Sequence, residues 1–344
     1  MAVLGVWGCG SGARSGAHVT TGGASGTGDA AGQGPVGPNL DGMRGVTGGT
    51  SSLGGGGSAG VGGLGGTAGT GGAGSSGSAG SAGSPMTIEY SAIWGASKTD
   101  VWSGDTRGHL SHYDGNNWSD PITVPGLDAV HGLWGASSTD IYAISGSSAF
   151  HYDGKSWTDM QPPNHSLFLE ALSGTSSTNV WFAGFNGLVL VWDGKTWSER
   201  SLAAAAGEPA AEDFDSLSVL SPTEAWGTAG FVAPKLYHYA AGWTEVSSVG
   251  GEGAVYAVGS DVWWGRCHMN GAAADCPADL SSTIGAIWGL GAKDIWAVSQ
   301  DALYHYDGAW STILQLKYDA FLGDVWSSGE GAWIAGAGLR EHHP

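Results

Sequence analysis

An all-β fold built from repeated units is predicted by three observations. The first is a recurring anchor on short apolar runs: Trp94, Trp134, Ser173, Ser218, Tyr256, Trp288 and Trp326, at spacings of 40, 39, 45, 38, 32 and 38 residues. The second is an aromatic residue seven or eight positions after each anchor, at Trp102, Tyr142, Trp181, Trp226, Trp263, Trp296 and Trp333. An acidic or amide residue usually stands two before it: Asp100, Asp140, Asn179, Glu224, Asp261 and Asp294. The third is Asp-Gly between two apolar runs, at Asp114-Gly115, Asp153-Gly154, Asp193-Gly194 and Asp307-Gly308. That dipeptide signals a hairpin, because a tight turn needs positive φ there. A period near 40 residues made of short strands belongs to a propeller blade or a solenoid turn. Four strand candidates per unit predict the former: a single β-propeller, with seven four-stranded blades, preceded by a disordered Gly-rich segment.

The chain divides by composition. Residues 1–9 end in Val6-Trp7-Gly8-Cys9, an apolar and a small residue before a cysteine, and Cys9 is the expected lipidation site. Residues 10–85 are Gly, Ser, Ala and Thr with almost no large apolar side chains. Such a segment cannot bury enough area to offset its ordering entropy, so a disordered tether is expected. Its root-mean-square span would be on the order of 50 Å. Residues 86–344 hold 17 of the 18 Trp and form the repeat domain, with units starting near 92, 132, 171, 216, 254, 286 and 324.

Within a unit the strands follow from turn chemistry. In the second, Gly132–Gly135, Asp140–Ser145, Ala149–Tyr152 and Ser156–Asp159 are rich in aromatic or β-branched residues and bounded by Gly, Ser, Thr or Asp. Ser137-Ser138-Thr139-Asp140 supplies the hydroxyls and carboxylate of the first turn. The last unit has room for about three strands, and Thr87-Ile88-Glu89-Tyr90 is expected to lend the fourth and close the ring.

The formal net charge is -19, carried almost entirely after residue 85. An acidic domain repels nucleic acid and anionic membrane, which excludes both as direct partners. No apolar run approaches the roughly 20 residues of a membrane-spanning helix, so any membrane contact would run through a lipid anchor. Cys267 and Cys276 bracket a nine-residue step that reads as two strand ends joined by a loop. A disulfide there would imply an oxidising compartment.

The Trp-Gly…Asp-Val-Trp…His-Tyr-Asp-Gly-x-x-Trp module resembles repeats in secreted proteins and lipoproteins of myxobacteria. The Asp-Gly-x-x-Trp element is also similar to the Asp-box hairpin of sialidases and related propellers. The first resemblance implies a propeller-like fold and an exported chain: an outer-membrane or cell-surface lipoprotein, or a periplasmic protein.

Chemistry is harder to locate. His112, His151, His238 and His305 occupy equivalent places in different units, which predicts packing on the third strand rather than one cluster. Each turn Asp is a turn former first; calcium at Asp114, Asn116 and Asp120 is the minor alternative, and no other cofactor or metal is expected. No spacing marks the carboxylate pair of a glycosidase. The arginines of the repeat domain are only Arg107, Arg200, Arg266 and Arg340, few for a sialidase. Loops between second and third strands differ in every unit, and variable loops on a rigid scaffold are where binding sites concentrate. Asp105, Arg107, Phe185, Asn186, Lys235, Trp264 and Arg266 are the ligand-binding candidates, joined by the long segment 203–215. The expected function is therefore a monomeric, non-catalytic propeller that recognises a carbohydrate or protein at the cell surface. A glycan-cleaving enzyme related to sialidases and a plain structural scaffold are the alternatives.

Overall fold

The computed structural model describes residues 7–8, 89–163, 166–204, 211–230, 234–247, 253–271, 274–277, 280, 283–316 and 321–343. Cys9 and the tether lie outside them. The described chain from Glu89 forms a seven-bladed β-propeller. Blade 1 runs Tyr90–Ser97, Asp100–Asp105, His109–Tyr113 and Ile122–Thr123, each strand antiparallel to the next. Blade 2 runs Gly132–Ser137, Asp140–Ser145, Ser148–Tyr152 and Trp157–Asp159, and blade 3 runs Leu169–Ser176, Asn179–Gly184, Val189–Trp192 and Trp197–Glu199. Blade 4 (Phe214–Ser221 to Trp243–Ser247) and blade 6 (Ala286–Gly291 to Trp310–Gln315) repeat the pattern. The sheets of blade 5 (Val255–Val258 to Cys267–Asn270) and blade 7 (Leu322–Ser327 to Leu339–His343) contain three strands among the described residues. Trp7–Gly8 adds a short strand to the innermost strand of blade 4, with Trp7 opposite Leu217, and also neighbours the innermost strands of blades 2, 3 and 6.

The Trp-Gly pair of the repeat has a geometric cause. Side chains alternate along the innermost strand, so the anchor faces the next blade and the residue after it faces the previous one. A Cβ at Gly135 would stand 2.6 Å from the Trp94 ring of blade 1, and one at Gly174 would stand 2.8 Å from the Trp134 ring of blade 2. Tyr256 of blade 5 meets Gly289 of blade 6 in the same way, and Trp326 of blade 7 meets Gly95 of blade 1. Where the anchor is serine the following blade carries a side chain instead. The Ser173 hydroxyl accepts the Val219 N–H at 3.1 Å, and the Ser218 hydroxyl accepts the Ala257 N–H at 3.0 Å.

The segment expected to lend blade 7 a strand is described only from Glu89. Thr87 and Ile88 lie outside the described residues, Glu89 bridges Ala337, and Tyr90 opens the innermost strand of blade 1. No outer strand is borrowed by blade 7 from the described residues. Side chains close the seam: Trp326 on Gly95, Lys98 paired with Glu330, Trp333 edge-on to Trp118, and Asp324 accepting the Ile93 N–H at 2.8 Å. Asp324 is fully buried, and desolvation raises its carboxyl well above the ordinary range against the opposing effect of the Ile93 and Val325 N–H groups.

Blade 5 compensates for its short sheet covalently. Cys267 and Cys276 form a disulfide, and His268 bridges Asp275 beside it. The cross-link holds the returning chain where an outer strand would lie.

Two predictions follow from the junctions. Gly135→Ala drives a methyl into the Trp94 ring and should destabilise by about 1–3 kcal/mol, read as a lowered denaturation midpoint at unchanged slope. A carboxyl raised on folding stabilises most below its unfolded pKa and progressively less as pH rises through the folded value. Asp324→Asn should therefore gain on the parent protein as pH rises above the ordinary carboxylate range. A difference in thermal midpoint that ignores pH would contradict this.

Candidate functional site

The antiparallel order sends two classes of loop to each end of a blade. Connections between second and third strands, and those between blades, share one face; first and third turns share the other. All seven predicted loop residues lie at the former end, but the structure does not gather them into one site.

Asp105 is buried and ties its own turn together. Its carboxylate accepts the N–H of Arg107 at 2.9 Å and of His109 at 2.8 Å, and contacts His109 Nδ1 at 3.1 Å. Exposed Arg107 sits in that turn on blade 1. Trp264 is only 2% exposed and belongs to the core with Leu236, Tyr256 and Leu280, so it is no loop-face platform. The reason is register: it ends the second strand opposite Val255, where the side chain faces inward. Arg266 follows it, half-buried.

Phe185, Asn186 and Lys235 do converge, around residues 211–213. Phe185 lies in a single turn of 3-10 helix, and Asn186 adopts φ 55°, a left-handed conformation that asparagine tolerates. Asp213 fixes this loop by accepting the Asn186 N–H at 2.7 Å. Beside it the Glu212 carboxylate contacts Lys235 Nζ at 2.8 Å and accepts the Tyr237 hydroxyl at 3.0 Å, and Glu245 lies 3.5 Å from the same ammonium. Burial and Glu212 push the Tyr237 hydroxyl up to about 12, while Glu212 raises Lys235.

The structure adds a residue that loop comparison missed. Phe168, in the connection from blade 2 to blade 3, is 48% exposed, the most of any large apolar side chain among the described residues. Its ring lies 5.5 Å from that of Phe185, and its carbonyl accepts the Phe185 N–H at 3.0 Å. The site is thus an aromatic pair flanked by an amide and a locked acid–base network. An apolar residue in a polar connecting loop was the available signal.

The histidines have structural partners. His112, His151, His268 and His305 meet Asp100, Asp140, Asp261 and Asp294 at 2.7–2.9 Å, and His238 meets Glu224 at 3.2 Å. Each stacks on the aromatic of the second strand, as His305 does on Trp296 at 4.1 Å. Blade 3 has Val191 instead; there the Trp181 indole donates to Asn179 at 2.8 Å and Arg200 covers the ring at 4.5 Å. Asp114 accepts the N–H of Asn116 at 2.9 Å and of Asn117 at 2.8 Å, which depresses its pKa and marks it as a turn former. Among the described residues no group of three or more His, Cys, Asp or Glu is placed to hold a metal ion.

No family model matches the chain, and no curated protein matches it. Solved structures resemble it in fold. A catalytically inactive virginiamycin B lyase from Staphylococcus aureus with quinupristin aligns over 74% of this chain and 94% of its own, at 13% identity and a TM-score of 0.59. YCF48 from Cyanidioschyzon merolae aligns over 75% and 96%, at 14% identity and a TM-score of 0.56. The extracellular domain of a one-component system from B. thetaiotaomicron aligns over 75% of this chain and 38% of its own, at 13% identity and a TM-score of 0.55. Such identities establish the β-propeller class and nothing narrower.

Asn186→Val places a β-branched residue at positive φ and should cost about 1–3 kcal/mol, whereas Asn186→Gly should be nearly neutral. Thermal denaturation of the two variants checks this.

Proposed function

We propose that this chain is a non-catalytic, exported interaction protein that binds carbohydrate on the loop face of blades 3 and 4. The exposed Phe168–Phe185 pair carries the reading. Aromatic faces pack against the apolar face of a sugar ring, and nearby amide and carboxylate groups take its hydroxyls. Here Asn186 follows Phe185 in the same turn and is held by Asp213, while Glu212, next along the chain, is held by Lys235. Preorganisation of this kind lowers the ordering cost of binding. The same engagement argues against catalysis, since Glu212, Asp213 and Asp105 are committed to Lys235, Asn186 and their own turns. The Cys267–Cys276 disulfide supports an oxidising, extracytoplasmic location at the cell surface or in the periplasm.

The purified repeat domain should bind a subset of a glycan array, and Phe168→Ala with Phe185→Ala should weaken that binding about tenfold or more at unchanged thermal midpoint, a loss of about 1.4 kcal/mol. Binding that survives both substitutions, or a protein partner captured with no glycan signal, would overturn the assignment. Turnover of chromogenic glycosides would overturn the non-catalytic reading.

A further inference from the structure

The opposite face carries a second feature, and only one junction has it in this form. In most blades the second-strand tryptophan reaches the next blade's third-strand tyrosine. Trp102 lies 5.1 Å from Tyr152, Trp181 lies 5.1 Å from Tyr239, and Trp333 lies 5.0 Å from Tyr113. Between blades 2 and 3 the sizes are exchanged: Tyr142 stands where the other blades have tryptophan, and Trp192 stands where four have tyrosine. An open cleft of about 330 Å³ lies at this junction, with buried Tyr142 at its floor and Trp192, Asp140, Asp153, His151 and Thr178 around it. A neighbouring hollow of about 360 Å³ shares Asp140 and Ser177 with it and extends toward Gly135 and Gly174.

The lining is chemically one-sided. Two carboxylates, hydroxyls and an indole contribute, and the described lining residues include no lysine or arginine, with Lys155 nearby beside Asp153. Asp153 stays ionised, because the N–H groups of Ser156 and Lys155 hold its carboxyl below the usual range. Tyr142 stays protonated, raised by burial and by Asp140. The Tyr142 hydroxyl donates to the Ser177 carbonyl at 3.4 Å. His151 is occupied by Asp140 at 2.7 Å.

We propose that the cleft between blades 2 and 3 is a binding site for a small organic ammonium ion. An aromatic face and carboxylates together attract such a cation, the indole through its quadrupole and the acids through charge. A volume of this size accommodates a head group of a few carbons around nitrogen. The site is independent of the sugar-binding reading, since it lies on the other face and uses other residues.

Calorimetric titration of the full chain with choline, beside its neutral carbon isostere dimethylbutanol, tests the assignment. Choline should bind, and the isostere should bind at least tenfold more weakly. Tyr142→Trp restores the residue of the other blades and narrows the cleft floor; it should weaken choline binding several-fold while the fold is kept. Asp153→Asn keeps a turn-forming side chain but removes the charge, and should weaken choline several-fold. Loss of fold in Tyr142→Trp leaves the Asp153→Asn arm decisive. Absence of choline binding, equal binding of the isostere, or binding unchanged in both variants would overturn the proposal.

Discussion

An aromatic ring laid on a glycine of the following blade is the contact on which the ring depends. It occurs from Trp94 to Gly135, from Trp134 to Gly174, from Tyr256 to Gly289 and, across the seam, from Trp326 to Gly95. Close packing of rigid planes leaves little tolerance, since interiors sit near crystal density. The innermost strands are therefore brought to a fixed separation, and every outer strand is positioned from them. The histidine–carboxylate pairs act one layer further out. They stack on the second-strand aromatics and fill the wedge that widens away from the axis, as at Trp263 and His268, 4.2 Å apart.

Much of this was legible in the chain. The anchors and the aromatic that follows each one fixed blade number and strand order, because one unit copied seven times leaves a period that loop drift does not erase. The Asp-Gly turns were readable for the same reason: Gly115, Gly154 and Gly194 sit at φ 93°, 86° and 92°. What resisted reading was pairing across blades. Nothing local says that Asp324 reaches Ile93, 231 positions away. Trp264 was mistaken for a loop residue because its neighbours Gly265 and Arg266 form the turn, while its own register sends it inward.

The candidate site was half legible. Phe185 and Asn186 stood out as departures from the repeat, and the structure sets them beside Phe168 and the Asp213 carboxylate. Phe168 lies between units, where the repeat offers no reference against which to see it. The cleft at Tyr142 had the opposite difficulty. Its residues occupy scaffold positions, and a tyrosine among tryptophans looks like tolerated variation until the cleft beside it is seen.

The Ser173–Val219 and Ser218–Ala257 contacts give the junctions a directional grammar. Each blade has an outgoing residue and an incoming one: at four junctions an indole or phenol meets bare backbone, at two a hydroxyl meets a substituted residue's amide, and from blade 6 to blade 7 Trp288 meets the Trp326 ring at 6.1 Å. Blade 2 speaks the first dialect at both edges and could be duplicated next to itself. Blade 4 receives a hydroxyl and presents one, so it could not be grafted behind blade 1, whose indole would strike Val219. Gene duplication within such an array is thus constrained at the boundaries between copies rather than inside them.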